Sequence, residues 1–498
     1  MPFITDPTAS PLPILPLWIN GAPHPLTAHT LFPVTSSISN TPLHSAVSAT
    51  PSSATLACDA AATAFSSWRN TTPTHRRTLL LKAADRIAAR ADDIAESQMA
   101  ETSCPSPFAQ FNVKQGEAGV REIAAATSEL RGSVPQQATR GDGSGEDVGG
   151  LTVVIREPVG VVLVIPPWNG AVILPLRAMS MALAAGCTLV VKASELCPRT
   201  HSLLLECFEE AGFPKGVINM IQARREDAAP VVEAIISHKA VRKVDFIGSA
   251  AVGSKVGQVC AKYLKPILME LGGKGPAVVL EDAHLEKAAF FCAMGAVLDH
   301  GQVCFSTERI IVHKAVYDKF VEFLVGAMKK IPNAGDAVTR QSATHAYDVL
   351  KDAEDKGAKF LLGGPEYITE TSLKPTLVTN VSREARIWDE ETFGPSASVY
   401  VAENDEDAIA KANDSAYGLS AAVHSTSWEH AYNVAKRLEY GQVQINNMTP
   451  SDCPSVPIRG VKGSGWGQSN SIWGIHEFSV EKAVYFHASG GSNIFLDH

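Results

Sequence analysis

The chain of 498 residues has no Cys-x-x-Cys pair, no His-Glu-x-x-His segment and no tight cluster of cysteines and histidines. Local zinc knuckles and zincin-type centres are therefore not expected, and no metal is assigned. The nine cysteines are odd in number and scattered. Cys187, Cys197 and Cys207 are evenly spaced but too far apart for a knuckle. That usage suits a reducing compartment better than a disulfide scaffold. Basic charge is in short supply: 43 lysines and arginines face 52 aspartates and glutamates, a formal charge of -9. Nucleic acid and anionic membranes are poor candidates as the main partner. No apolar run is long enough to cross a bilayer, and the opening "MPFITDPTASPLPILPLWING" lacks a basic stretch and is broken by prolines. Neither a membrane span nor a secretory signal is expected, which leaves a soluble, cytoplasmic protein.

What is present is a large apolar fraction, 45% of residues, in a chain long enough for two or three domains. Residues 1 to about 55 are rich in Pro, Ser and Thr, with short strand-like pieces such as "PLWING". In the segment from "THRRTLLLKAADRIAAR", Leu79, Leu80, Ala83, Ala84 and Ile87 recur at helical spacing. Helical character resumes at "EAGVREIAAATSELRG", and "QQATRGDGSGEDVGG" reads as a polar loop.

Thereafter strands and helices alternate. "GVVLVIPP", "CTLVVKAS", "GVINMIQ" and "VRKVDFIGS" read as buried strands, with helical patterns between them ending at Gly186 and Gly212. Regular alternation predicts βαβ units in a parallel sheet, which binds ligands beyond the carboxyl ends of its strands.

Those ends carry the chemistry. Pro166 and Pro167 stop the first strand and put Trp168 and Asn169 on the following loop. An asparagine amide there donates to a developing oxyanion, although a plain turn asparagine has the same pattern. The second strand delivers Lys192, Ser194 and Glu195 to the same edge. A carboxylate there accepts from an adenosine ribose and repels a 2′-phosphate, favouring NAD over NADP; the competing reading is a solvated Lys–Glu pair. The fourth strand runs into "GSAAVGSKVG", where Gly248, Ser249 and Gly253 open a helix whose N-terminus suits a pyrophosphate. Glu270 is the lone carboxylate of the apolar "LMELGG". Desolvated, it suits a general base; paired with Lys274, it is structural. In "LDHGQVCFSTERIIV", Cys304 sits on a loop between helix and strand, where nucleophiles are displayed. "DEETFGPSASV" places Glu391 and Phe393 on a turn before a strand.

In order, PWN, VKASE, FxGSxxxG, MELGGK, GQVC and ETFGP resemble the NAD(P)-dependent aldehyde dehydrogenase superfamily, over roughly "LWING" to "EFSVEK". "GQVCFSTERIIVH", "WNGAVILPLRAMS" and "VKGSGWGQ" are similar to its aromatic-aldehyde members, the salicylaldehyde and vanillin dehydrogenases. The resemblance implies an α/β fold with a Rossmann-type cofactor domain (1–137 and 158–269) and an α/β catalytic domain (270–468). It also implies a small β oligomerisation arm (138–157 and 469–498) and a homodimer or homotetramer. It makes Cys304 the nucleophile, Asn169 an oxyanion donor and Glu270 the base for thioester hydrolysis. Lys192, Ser194 and Glu195 would hold the adenosine ribose, Trp168, Gly248, Ser249 and Gly253 the pyrophosphate region, and Glu391 and Phe393 the nicotinamide end. Gly170 would leave room for a flat ring beside Cys304. Arg177 would face an ortho-hydroxyl or a carboxylate, unless tied to an interdomain acid. Hence an aromatic aldehyde is expected, with a semialdehyde read by Arg177 as the rival. Relatives commonly read PFGG where this chain has "VPIRGVKG". Ile458 thus replaces an expected pocket aromatic, Arg459 adds a charge, and Cys453 enters as a pocket thiol. An acylating enzyme using coenzyme A is disfavoured by Glu270, and a non-catalytic NAD-binding protein by the joint presence of Asn169, Glu270, Cys304 and Glu391.

Overall fold

The computed structural model describes residues 3–6, 10–24, 31–135 and 151–486. Two α/β sheets dominate. The first has eight strands, in the order Gly465–Trp466, Ile267–Glu270, Val241–Ile247, Val161–Ile165, Thr188–Ala193, Ile218–Gln222, Trp18–Ile19 and Ala22–Pro23. Its five central strands are parallel. They are near-continuous apolar runs, as "VVLVI" at 161–165 illustrates, because helices cover both faces. The first strand of the βαβ series lies between the second and the fourth, so the strand order reverses between Val161–Ile165 and Val241–Ile247. In open α/β sheets such a switch point is where ligands bind, in the crevice beyond the carboxyl ends of the strands. Trp168 and Asn169 follow one of these strands, and Gly248 and Ser249 follow the other.

The expected helices form, with corrections at their ends. Ile173–Ala185 stops at Gly186, whose φ of +99° is the left-handed conformation a glycine adopts cheaply. The stretch after Thr72 is two helices, Pro73–Ala89 and Ala91–Thr102, broken at Arg90. The next helix starts earlier than its apolar pattern suggested. It runs Ser106–Ala126 from a proline-led N-terminus at Pro105, and it packs on Ile173–Ala185. A further helix, Pro51–Trp68, begins inside what reads as an extended N-terminal arm.

The second sheet has seven strands, ordered Lys359–Leu362, Thr376–Thr379, Ser396–Ala402, Thr307–His313, Gly275–Val279, Ser420–His424 and Gln442–Ile445. All but the first run parallel. The chain crosses from one sheet to the other at Glu270–Gly275, and Glu270 shares one cavity with the turn after Val297. The strand Gly465–Trp466 returns to pair with Met269 and Glu270. Finally, Leu151–Pro158 and Ser479–Phe486 form a two-stranded antiparallel ribbon. The Gly141–Gly145 cluster and the chain end after Phe486 lie outside the described residues. Among the described residues, no helix is long and apolar enough to cross a membrane.

Candidate active site

Cys304 stands on the short loop between the 3-10 turn Leu298–Gly301 and the strand Thr307–His313. That turn is unusual. Asp299, His300 and Gly301 have φ of +49°, +59° and +76°, three left-handed residues in succession. The first two carry side chains and are buried, so the strain persists only because the surroundings hold it. Gln302 does much of the holding. Its Nε2 donates to the carbonyls of Asp299 (3.0 Å) and Asp336 (3.1 Å), and its Oε1 accepts from the Val338 N–H (2.9 Å).

Glu270 ends its strand beside this loop. Its Oε1 lies 3.6 Å from the Cys304 Sγ, within reach of a thiol hydrogen bond. Burial raises the Glu270 carboxyl above its ordinary range, while the Arg177 guanidinium, 3.5 Å from Oε2, pulls it down. Burial also pushes the Cys304 thiol well up, helped by Glu270 and Glu391 and opposed by Arg177. Lys274 is not the partner of Glu270. It is fully buried on the other side of the glycine turn, ion-paired with Glu308 and donating to the Glu390 carbonyl at 2.7 Å.

Asn169 completes the reactive group. Its Nδ2 donates to the Gln302 carbonyl at 2.9 Å. An amide nitrogen carries two hydrogens, so this bond orients the group and leaves one N–H for a ligand oxygen. Asn169, Glu270 and Cys304 together line one cavity of about 930 Å³, measured out to its open mouth. Its wall is mainly apolar and aromatic: Phe108 and Phe111 from the helix Ser106–Ala126, Ile173 and Leu174 from the next helix, and Val303 and Phe305 beside the thiol. The two phenylalanines of the first helix stack with ring centroids 6.5 Å apart, and Phe111 is half exposed at the mouth. The sequence reading had missed this helix face. Its signal was the i, i+3 and i+4 spacing of Phe108, Phe111, Asn112 and Gln115 after Pro105.

The expected pocket residues divide. Gly170 and Arg177 line the cavity. A Cβ at Gly170 would meet the Leu174 side chain at 2.8 Å, so a larger residue would push Leu174 into the cavity. Arg177 is buried and tied to two acids, ion-paired through Nη2 with Asp452 as well as facing Glu270. The alternative expected for Arg177, a tie to acidic side chains, is therefore the geometry found. Ile458 does not line the cavity. It is 1% exposed, packed behind the cysteine loop on Phe305 and Leu419. Arg459 and Cys453 are both exposed; of the Cys453 segment, Asp452 and Pro454 reach the cavity wall.

Across the thiol, the switch-point crevice gathers the other residues. The Trp168 and Phe393 rings meet edge to face, 5.9 Å apart. Lys192 is buried, with Nζ 3.4 Å from the Glu195 carboxylate. The Ser194 hydroxyl accepts from the Leu196 N–H (3.3 Å) and shapes the turn that holds them. Ser249 caps the helix Ala250–Lys262, its side chain accepting from the Val252 N–H, and the first N–H groups of the helix lack intrahelical partners as in any helix opening. A Cβ at Gly253 would lie 2.5 Å from the end of the Leu271 side chain, which would have to shift; a Cβ at Gly248 would meet the Phe246 ring at 2.8 Å. The Glu391 carboxylate folds onto the glycine turn and accepts from the Gly273 N–H at 2.9 Å. Burial, with Glu308 nearby, pushes it up to about 8. A helix N-terminus, a Lys–carboxylate pair and an aromatic edge suit a dinucleotide's phosphates, ribose and ring. The donor set fits such a cofactor. Among the described residues, no group of three or more metal-ligating side chains forms.

The model of the aldehyde dehydrogenase family matches residues 26–484. The vanillin dehydrogenase of Pseudomonas fluorescens is 38% identical over 93% of this chain and 96% of its own. The salicylaldehyde dehydrogenase of Pseudomonas putida is 35% identical over 93% and 95%. Among solved structures, the salicylaldehyde dehydrogenase of Pseudomonas putida G7, complexed with salicylaldehyde, superposes with a TM-score of 0.92 and 33% identity. That match covers 97% of this chain and all of the other.

Proposed function

Given that the chain belongs to the aldehyde dehydrogenase family and is an NAD(P)-dependent aldehyde dehydrogenase, we propose that it oxidises an aromatic aldehyde to the carboxylic acid, with NAD as the preferred acceptor. The observation that carries this is one cavity, walled by Phe108, Phe111 and Phe305, whose floor holds Cys304 with Glu270 3.6 Å away. A flat, apolar ring fits that wall, and the relatives named for vanillin and salicylaldehyde support the class.

The reaction follows from the placement of the groups. The Cys304 thiol passes its proton to Glu270 across their contact, and the thiolate adds to the aldehyde carbon. The oxyanion that forms takes the free N–H of the Asn169 amide and the Cys304 backbone N–H. NAD bound in the crevice supplies the acceptor for the hydride. What remains on Cys304 is a thioester. Glu270 gives the thiol proton up to solvent and, ionised again, removes a proton from water, which attacks the thioester; the acid leaves and the Cys304 sulfur takes the proton back from Glu270. Around the cofactor, Lys192, Ser194 and Glu195 would hold the adenosine ribose, Trp168, Gly248, Ser249 and Gly253 the pyrophosphate end, and Glu391 and Phe393 the nicotinamide end. A carboxylate at Glu195, 3.4 Å from Lys192, supports the preference for NAD, since it would repel a 2′-phosphate.

We assign residues 1–137 and 158–269 to the cofactor domain and 270–468 to the catalytic domain, with 138–157 and 469–498 as oligomerisation segments. The antiparallel ribbon exposes Leu151, Ile155, Val480, Tyr485 and Phe486, an apolar surface that supports a homodimer or homotetramer. A reducing cytoplasm would keep all nine cysteines, free in the structure, as thiols.

The rival substrate, a semialdehyde whose carboxylate pairs with Arg177, has the support that Arg177 lines the cavity. Against it, Asp452 already occupies that guanidinium. NADH formation with salicylaldehyde, vanillin, benzaldehyde, succinic semialdehyde and a long aliphatic aldehyde tests the choice, with Cys304→Ala as control. Preference for the aromatic aldehydes, lost in the control, supports the proposal. Preference for the semialdehyde overturns it.

A further inference from the structure

We propose that Arg177 and Asp452 form a positioning pair for the general base, holding the Glu270 carboxylate at the Cys304 sulfur instead of recognising substrate. The proposal rests on the reading of Glu270 as the base and deepens it.

The geometry is a continuous chain of contacts from a surface loop to the nucleophile. Asn470, buried and with φ of +74°, donates from Nδ2 to Asp452 Oδ1 at 3.1 Å. The same nitrogen lies 3.2 and 3.1 Å from the carbonyls of Cys453 and Val456, so it gathers the loop around Asp452. The other Asp452 oxygen is ion-paired with Arg177 Nη2. Arg177 Nη1 faces Glu270 Oε2 at 3.5 Å, and Glu270 Oε1 faces the Cys304 thiol at 3.6 Å. Glu270 Oε2 and Arg177 Nη1 are both buried and neither has a hydrogen-bond partner among the described residues, so their 3.5 Å ion pair is the polar contact on that side of the carboxylate and the one that would orient it. A carboxylate held by one oxygen presents the other. Unheld, it is free to turn away from the sulfur. The planar guanidinium suits this task because it meets two carboxylates along separate N–H edges and stays charged when buried.

The charges around Glu270 come from four elements. Arg177 is the cation on the helix Ile173–Ala185, Asp452 lies on the loop, Cys304 on the nucleophile turn and Asp245 on the neighbouring strand. Arg177 favours the ionised base and Asp452 opposes it, so removing either charge moves the base in opposite directions. A substrate-reading arginine has no such signature, because a neutral aldehyde ring does not depend on the ionisation of Glu270.

The test uses the full-length enzyme and the variants Arg177→Met, Arg177→Lys and Asp452→Asn. For each, kcat and KM are measured against pH with the best aldehyde of the panel. Alkylation of Cys304 by iodoacetamide is followed in parallel by peptide mass, which separates it from the exposed Cys453. Arg177→Met is expected to lower kcat roughly tenfold or more, as a share of the about 10²–10⁴ that a general base contributes. It should also move the acidic limb of kcat to higher pH, and the Cys304 alkylation curve with it. Arg177→Lys should recover part of kcat. Asp452→Asn, which keeps shape and removes charge, should lower kcat several-fold and move the limb to lower pH. Aldehyde KM should stay within about twofold throughout, the pattern of a lost transition-state interaction. A large rise in KM with kcat and both pH curves unmoved overturns the pair and makes Arg177 a substrate contact. If Arg177→Met fails to fold, Asp452→Asn decides by the same criteria. If wild type oxidises none of the aldehydes, the substrate proposal falls. A Cys304 alkylation curve moved to higher pH in Arg177→Met and partly restored in Arg177→Lys then still supports the pair, and an unmoved curve overturns it.

Discussion

The Cys304 sulfur and the Glu270 carboxylate lie 3.6 Å apart at the floor of a mainly apolar cavity, so nucleophile and base are in contact before any substrate enters. Proton transfer between them needs no conformational search. Cys304→Ala should abolish aldehyde oxidation. Glu270→Gln should acylate only from the fraction of Cys304 already ionised, giving at high pH a burst of about one NADH per site and then a steady rate about 10²–10⁴ lower. Rapid-mixing absorbance of NADH distinguishes the two phases.

Asn169 should behave as a pure oxyanion donor. Asn169→Ala removes the amide that Gln302 orients, and kcat should fall about 10²–10³-fold. Aldehyde KM should change little, and steady-state kinetics on purified protein reads both.

The pH dependence has a definite sign. Burial raises both Glu270 and Cys304, and each acts only when deprotonated. Activity should therefore climb with rising pH, along a limb above the ordinary carboxylate range. In Glu270→Gln the portion of the kcat limb due to Glu270 should vanish, which a pH–rate profile reads directly.

Cofactor choice should turn on one charge. Glu195, close to Lys192 in the crevice, should repel a 2′-phosphate. Glu195→Gln should shrink the NAD over NADP preference in kcat/KM by about tenfold, the equivalent of about 1.4 kcal/mol.

Ile458 should matter for stability and not for binding. Buried against Phe305 and Leu419 and outside the cavity, Ile458→Ala should cost about 2–5 kcal/mol of unfolding free energy. Aromatic-aldehyde KM should stay unchanged. Denaturant unfolding and kinetics on the same preparation separate the two effects.

Much of this was legible in the chain. The strands of the cofactor sheet announce themselves because burial on both faces makes each a solid apolar run, and Pro166–Pro167 or Gly248 marks where it ends. Glu270 and Cys304 stood out as polar groups where apolar or structural residues were the default. What escaped was long-range pairing. Arg177 meets Asp452 across 275 positions, and no local pattern encodes that contact. Lys274 misled for the opposite reason. It is four residues from Glu270, yet the glycine turn between them sends the lysine to Glu308. The start of the helix Ser106–Ala126 escaped because "CPSP" reads as a loop, whereas Pro105 and Pro107 lead a helix whose first turn needs no proline N–H.

The left-handed run Asp299–His300–Gly301 has a further consequence. Any side chain on Gly301 would strike the carbonyl of Gly394, so the turn bearing the nucleophile is keyed to the turn bearing Glu391 and Phe393. Glu308 tightens the junction by accepting from the N–H groups of Thr392 and Phe393. Insertions or register changes in either turn would be felt at once in the other. Evolutionary drift in what the enzyme accepts has therefore to happen on the opposite bank, in the helix face around Phe108 and Phe111 and in the loop around Asp452. Those are also the places where a laboratory search for new substrates should start.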